Sequence, residues 1–214
     1  MTRWVKERRT VAGLAISVGM AGFAITGCGG GGGGGGTTPP PPPATYTITG
    51  QLYNHGAPAA GVPVTFDGLA GTATTTTATG NYTITLPKTA VTGSDHVTFG
   101  LGGATPVNFT VTEVSGVPQN VGKIYVVNGT ILNNGNPASG LTINFDGNAS
   151  TATMTDSDGK FMLLVPQALV TGTDTIKIVI VPGSSPVTQP LTEVGGVPQD
   201  FGTKDIGTIP TPPV

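Results

Sequence analysis

From residue 46 onward, apolar and polar residues alternate along several short stretches of the chain. In the first stretch, Tyr46, Ile48 and Leu52 are separated by threonines, a glycine and Gln51. Such alternation is typical of β-strands with one buried and one solvated face, and threonine suits the solvated face. Dipeptides typical of tight turns separate the stretches, for example Asp67-Gly68. The pattern predicts units of about seven short antiparallel strands folded as a sandwich, with almost no helix.

The same pattern occurs twice. Residues 45–68 (TYTITGQLYNHGAPAAGVPVTFDG) align with 124–147 (IYVVNGTILNNGNPASGLTINFDG), and 112–119 (TEVSGVPQ) align with 192–199 (TEVGGVPQ). Each unit is roughly 80 residues long, which is the size of a small domain rather than of a solenoid repeat. We predict a first repeat at 45–123, a second repeat at 124–209 and a tail at 210–214. Because the strand patterns meet at Lys123-Ile124, we expect two similar sandwiches with separate sheets and a very short join.

Glycine, proline and threonine positions within each repeat resemble a known family. The first repeat reads Gly56-x-Pro58-x-x-Gly61-Val62-x-Val64, then Thr74-x-Thr76-x-x-x-Gly80-x-Tyr82, and the second has Gly135, Pro137, Gly140, Thr155, Asp156, Gly159 and Phe161. These motifs are similar to those of carboxypeptidase regulatory-like domains, whose fold is a transthyretin-like sandwich. The resemblance covers roughly the first half of each repeat, and its turn and core residues indicate fold rather than function. The expected fold class is all-β, with two tandem antiparallel sandwiches of transthyretin-like or immunoglobulin-like type.

The start of the chain has the layout of an export signal. Residues 1–10 are basic, and an apolar run at 11–26 is short for a permanent membrane span. Ile25-Thr26-Gly27-Cys28 resembles the lipobox of bacterial lipoproteins, which implies cleavage after residue 27 and a lipid on Cys28. Residues 28–44 would be a disordered Gly/Pro-rich tether. We therefore expect a protein of the cell envelope, held by lipid at the outer membrane or cell surface.

Composition excludes one class of partner and two features that need more than one cysteine. Removing residues 1–27 leaves five lysines, no arginine and ten acids, a net charge of −5. Nucleic-acid binding needs clustered basic side chains, so we predict no nucleic-acid partner. Cys28 is the only cysteine, which excludes an internal disulfide and a multi-cysteine zinc site.

The sequence offers few candidates for chemistry. The two histidines, His55 and His96, are not repeated in the second unit, and no nucleophile motif accompanies them. Acids that do recur follow or precede turn glycines, where a carboxylate hydrogen-bonds to the turn backbone. Asp156 and Asp158 begin like a calcium loop, but Lys160 follows where further ligands would be needed. We predict no catalytic residues and no cofactor, with these two aspartates only weak metal candidates.

The second repeat breaks the alternation at four apolar residues. Met162 and Leu164 replace threonines of the first repeat, and Val179 and Val181 replace glycines. A strand that is apolar on both faces must be covered on both. Loops of the same domain could cover these residues, or they could form a contact surface for the first domain, another copy or a partner.

Two functional hypotheses remain from the sequence. The first is a non-catalytic, lipid-anchored binding module for a protein or polysaccharide at the cell surface. The alternative is a structural spacer or accessory subunit of an envelope assembly. The absence of tryptophan after residue 27 weighs against a sugar-binding surface, since such surfaces use exposed aromatic rings.

Overall fold

The structure is a computed structural model that describes residues 44–102, 106–180 and 185–207. All described residues belong to one compact unit. The signal segment, Cys28 and nearly all of the tether lie outside the described residues, as do Val181 and residues 208–214. The predicted all-β fold class is confirmed, since the described residues form strands and two single-turn 3₁₀ helices.

Nineteen strands follow one another in the described residues, and both repeats have the same element order. The first repeat contains β1 (Thr45–Asn54), β2 (Ala57–Pro58), β3 (Pro63–Phe66), β4 (Leu69–Thr75), β5 (Asn81–Pro87), β6 (His96–Phe99), β7 (Val107–Thr110), β8 (Glu113–Val114) and β9 (Val117–Pro118), with a 3₁₀ helix at Lys88–Ala90. β10 (Gly122–Asn133) opens the second repeat and is followed by β11 (Asn136–Pro137), β12 (Thr142–Phe145), β13 (Asn148–Met154), β14 (Lys160–Pro166), a 3₁₀ helix at Gln167–Leu169, β15 (Thr175–Val179), β16 (Val187–Pro190), β17 (Glu193–Val194), β18 (Val197–Pro198) and β19 (Gly202–Asp205).

A central sheet joins the two repeats. β5 pairs with β1, β1 pairs in parallel with β10, and β10 pairs with β14. The parallel pairing runs from Gly50 opposite Gly122 to Asn54 opposite Val126. The expectation of separate sheets is therefore wrong, because β10 crosses the predicted boundary at 123/124 without interruption and hydrogen-bonds to the first repeat.

Two four-stranded sheets cover the central sheet on opposite faces. The first outer sheet has the order β4-β3-β6-β7, and the second has the order β13-β12-β15-β16. Along β10, Ile124 and Val126 belong to the first hydrophobic core, whereas Tyr125 and Val127 belong to the second. Because neighbouring residues of a strand point to opposite faces, β10 contributes to both cores and is buried on both sides.

β19 follows the second repeat in the same way that β10 follows the first, and it pairs in the same way. It pairs in parallel with β10, from Gly129 opposite Gly202 to Leu132 opposite Asp205, just as β10 pairs with β1. Lys204 and Asp205 occupy the positions that Ile124 and Tyr125 hold in β10, and all four residues of β19 are exposed. Charged side chains on an edge strand discourage further pairing.

Candidate functional site: the groove between the repeats

The apolar residues specific to β14 lie where the first repeat meets the second. Leu164 is 8% exposed and is part of the first hydrophobic core, and the half-buried Met162 packs against the same core. Their equivalents on β5, Thr83 and Thr85, are exposed. The difference has a physical cause, since the first outer sheet reaches over β14, whereas no described element covers the corresponding face of β5.

β10 shows the same exchange of residues. Ile124 and Val126 are buried in the first core, and the equivalent residues of β1, Thr45 and Thr47, are exposed. The join between the repeats is therefore a packed apolar interface continuous with the core of the first repeat. Such an interface, together with the shared sheet, holds the repeats as one body rather than as domains on a flexible linker.

Val179 does not belong to this interface. It lies on β15 in the second outer sheet, half-buried and opposite Thr142. The four residues, for which a shared contact surface was one of two alternatives, are thus split, with Met162 and Leu164 on the central sheet, Val179 elsewhere and Val181 outside the described residues.

A groove of about 1340 Å³ separates the first outer sheet from the second repeat. Its wall is β7 of the first repeat, and its floor contains Met162 and Leu164 on β14. β13 of the second outer sheet forms the other side, from Ser150 to Met154. β7 and β13 are both end strands of their sheets, so two sheet edges border one cavity.

Both methionines of the described residues, Met154 and Met162, line the groove. Met154 is 62% exposed, and its equivalent in the first repeat is Thr75. Methionine is flexible and adapts to different apolar partners. Sequence reasoning missed Met154, although comparing the repeats position by position reveals the same threonine-to-apolar change as at Met162.

A polar cluster lies at one end of the groove and links the repeats. The side-chain amide of Asn128 donates to Asn54 Oδ1 at 2.9 Å and to Asp200 Oδ1 at 3.0 Å. His55 Nδ1 contacts the other oxygen of Asp200. Burial alone would raise the pKa of Asp200, but the hydrogen bonds from His55 and Asn128 outweigh it and lower the pKa below its ordinary value. His55 thus contributes to the join between repeats, a role that its sequence context did not reveal.

The recurring acids support turns, as their sequence context indicates. Asp67 Oδ1 accepts a hydrogen bond from the His96 N–H at 2.7 Å, and Asp146 Oδ1 accepts one from the Thr175 N–H at 2.6 Å. The buried carboxylate of Asp174 accepts hydrogen bonds from the Thr171 backbone.

Glu193 lies beside Asp174, and both of its carboxylate oxygens are buried. Burial, and next to it the carboxylate of Asp174, raise the pKa of Glu193. For Asp174, the hydrogen bonds from Thr171 outweigh burial and lower the pKa. The first repeat has the same pair, because the pKa of Glu113 is raised and that of Asp95 is lowered. Each repeat thus contains two adjacent carboxyl groups with opposite pKa shifts.

Asp156 and Asp158, the weak metal candidates, form a turn between β13 and β14. Asp156 Oδ1 accepts hydrogen bonds from the backbone N–H groups of Asp158 and Lys160, both at 2.9 Å. Lys160 Nζ lies 3.3 Å from Asp158 Oδ2. Within the described ranges, no three His, Cys, Asp or Glu side chains are grouped so that they could hold a metal ion.

The lipid-attachment prediction falls on Cys28, which lies outside the described residues. In the part of the chain that the structure describes, no helix has the length and apolar character needed to cross a membrane.

Comparisons with known proteins add little about function. No protein-family model matches the chain, and no curated protein is similar to it in sequence. One similar solved structure is titled "The Bacillus anthracis TIE protein"; it is 14% identical, with a TM-score of 0.24, over 77% of this chain and 34% of that one. This chain therefore corresponds to about a third of that protein, and so low a TM-score carries no argument.

Proposed function

We propose that the chain is a non-catalytic, lipid-anchored protein of the cell envelope whose two repeats form one binding module. The lipid on Cys28 would hold it at the outer membrane or cell surface, and the groove between the repeats would bind a partner protein or polysaccharide. The carboxypeptidase regulatory-like resemblance of each repeat belongs to this proposal and implies a scaffold rather than an activity.

One observation carries the proposal. Three positions that are threonine in the first repeat are apolar in the second, at Met154, Met162 and Leu164, and all three line the groove. Packing against the first repeat accounts for Leu164, which is almost fully buried, but not for Met154, which is largely exposed. Met154 extends the apolar lining that Met162 and Leu164 give to the groove, and a concave surface with an apolar lining is typical of a binding site.

The alternative function, a structural spacer, is favoured by the shared central sheet. A continuous strand such as β10, paired with β1 on one side and β14 on the other, resists bending between the repeats. A spacer would use that stiffness and leave the groove empty.

Site-specific photo-crosslinking in intact envelopes distinguishes the two functions. A photoreactive residue replaces Met154 in one variant and Thr75, its equivalent away from the groove, in a control. We expect a discrete cross-linked product from position 154 and none from position 75. Equal labelling from both positions, or none from either, would contradict a binding groove and favour the spacer.

A further inference from the structure

The outer edge of β7 presents free backbone hydrogen-bonding groups to the groove. The Val111 N–H donates to Asp95 O at 2.8 Å on the β6 side. His96, which lies opposite Thr110, uses its own backbone C=O for the Asp67 N–H on the other side of β6. Backbone groups of successive residues in an antiparallel strand point alternately to its two neighbours. The N–H and C=O groups of Asn108 and Thr110 therefore point away from β6, and both residues line the groove.

The equivalent edge in the second repeat lacks one of the two outward N–H donors. In β16 the Leu191 N–H donates to Asp174 O at 2.9 Å, so the outward-pointing positions are Thr188 and Pro190. Proline has no N–H, and proteins place it on edge strands to prevent pairing. One outward N–H donor is therefore missing from β16, at Pro190. The equivalent donor, the N–H of Thr110, is present on the edge of β7 that faces the groove.

The floor of the groove fits the side chains of an added strand. Val107 and Phe109 are half-buried and pack on the first core, whereas Asn108 and Thr110 are exposed. Residues directly opposite one another in neighbouring strands point to the same face. In a strand added to β7, the residue opposite Phe109 would point inward, toward the Met162 side of the groove. An occupant with alternating apolar and polar residues satisfies both faces.

The charges around the groove select for a basic occupant. Its lining contains the carboxylates of Asp156 and Asp200 and a single lysine, Lys160. Lys160 is already within 3.3 Å of Asp158. The surplus of negative charge favours lysine or arginine at an end of the bound segment.

We infer that the groove binds an extended polypeptide with alternating apolar and polar residues and a basic end, which adds to β7 as a fifth strand of the first outer sheet. Strand addition of this kind obtains affinity from main-chain hydrogen bonds and specificity from alternate side chains. This inference rests on the proposed function, since it names the class of partner that the groove takes.

The test uses the full-length protein in lipid nanodiscs and a fluorescent, end-capped peptide of sequence KTVTVTVTK, titrated by fluorescence anisotropy. Thr110→Pro copies the residue that the second repeat has at the same position, and it removes a donor that no described residue uses. We expect Thr110→Pro to weaken binding by about tenfold or more. The control Thr110→Val keeps the N–H and should bind as tightly as the unmodified protein.

A second measurement leaves the protein unchanged. N-methylation of alternate peptide residues removes the N–H groups on one edge of the peptide only, so two such peptides cover its two edges. One of them should lose binding by at least the same factor, and the other should retain it. An end-exchanged peptide, ETVTVTVTE, should bind more weakly than the lysine form because of the acidic lining.

Four results of the peptide measurements would overturn the inference. These are the absence of saturable peptide binding up to millimolar concentration, unchanged binding by Thr110→Pro, equal binding of both N-methylated peptides, and tighter binding of the acidic peptide. A concentration-dependent dimer that Thr110→Pro dissociates would also overturn it, because a second copy would then occupy the edge. Photo-crosslinking at position 154 that Thr110→Pro does not reduce would leave the proposed function standing and reject strand addition alone.

Discussion

Shortening Leu164 tests whether the join between the repeats stabilises the whole fold. Leu164 is 8% exposed and lies in the first hydrophobic core although it belongs to the second repeat. Leu→Ala changes at buried sites cost about 2–5 kcal/mol. Because the groove beside Leu164 lets neighbouring groups and water relax into the space, we expect Leu164→Ala to lower the free energy of unfolding by about 2–3 kcal/mol.

The matched control is Thr85→Ala, at the equivalent position of the first repeat. Thr85 is exposed, so its replacement should change the free energy of unfolding by less than about 0.5 kcal/mol. For a body of this size, the Leu164→Ala loss corresponds to a fall in Tm of about 5–10 °C. Calorimetry and urea unfolding followed by circular dichroism measure both quantities. If Leu164→Ala proves as mild as Thr85→Ala, the packing of the second repeat on the first contributes no stability and the single-body description fails.

Three further predictions concern other parts of the chain. Gly159→Ala should lower the free energy of unfolding by more than about 2 kcal/mol, because the residue has φ of +71° and an added Cβ would lie 2.3 Å from Ile131 O. The control Gly140→Ala, with a similar φ but open space around it, should cost only about 1–2 kcal/mol. Equal losses of the two variants in urea unfolding would contradict this prediction. Since the pKa of Glu193 is raised in the fold, its protonated form stabilises the protein fully below its ordinary pKa, and this contribution disappears as pH rises through the raised value. Thermal melts from the ordinary pKa of glutamate up to neutral pH should show a steeper decline with pH for the unmodified protein than for Glu193→Gln, and parallel curves would refute the shift. Cys28→Ser should release the protein from the membrane fraction, as fractionation and mass spectrometry of the mature N-terminus would show; an unmodified Cys28 in the native protein would contradict the lipid anchor.

The alternation of apolar residues with threonine was enough to predict an all-β sandwich, because burial of one strand face is a local property of the sequence. Residues such as Ile48, Leu52 and Ile84, taken from that pattern, are all fully buried. The Met162 and Leu164 exception showed that β14 needed cover on its second face, but it did not say what covered it.

The parallel pairing of β1 with β10 could not be predicted from the sequence. It joins residues about 70 positions apart in the chain, and an apolar pattern states which residues are buried but not which strands are neighbours. Ile124 and Val126 did indicate that β10 is buried on both faces, since they are apolar where β1 has threonines and so make the start of β10 an uninterrupted apolar run. The groove follows from that pairing, and so it was equally hidden. The role of Thr110 becomes visible only when its edge position is compared with Pro190.

The parallel register of β19 on β10 makes residues 122–201 a structural unit that could be repeated along the chain. At the start of this segment Gly122 pairs with Gly50, and just after its end Gly202 pairs with Gly129. The same parallel pairing therefore joins the segment to the chain before it and to the chain after it. If a further copy of this unit were inserted after residue 201, its first strand could pair with β10 as β19 does. That strand would need an apolar residue such as Ile124 at the position of Lys204. Every such insertion would create one more junction, and with it one more groove. A protein with several such repeats would therefore have one groove, and so one binding site, fewer than its number of repeats. A single repeat by itself would have no groove, because the groove is lined by residues of two repeats.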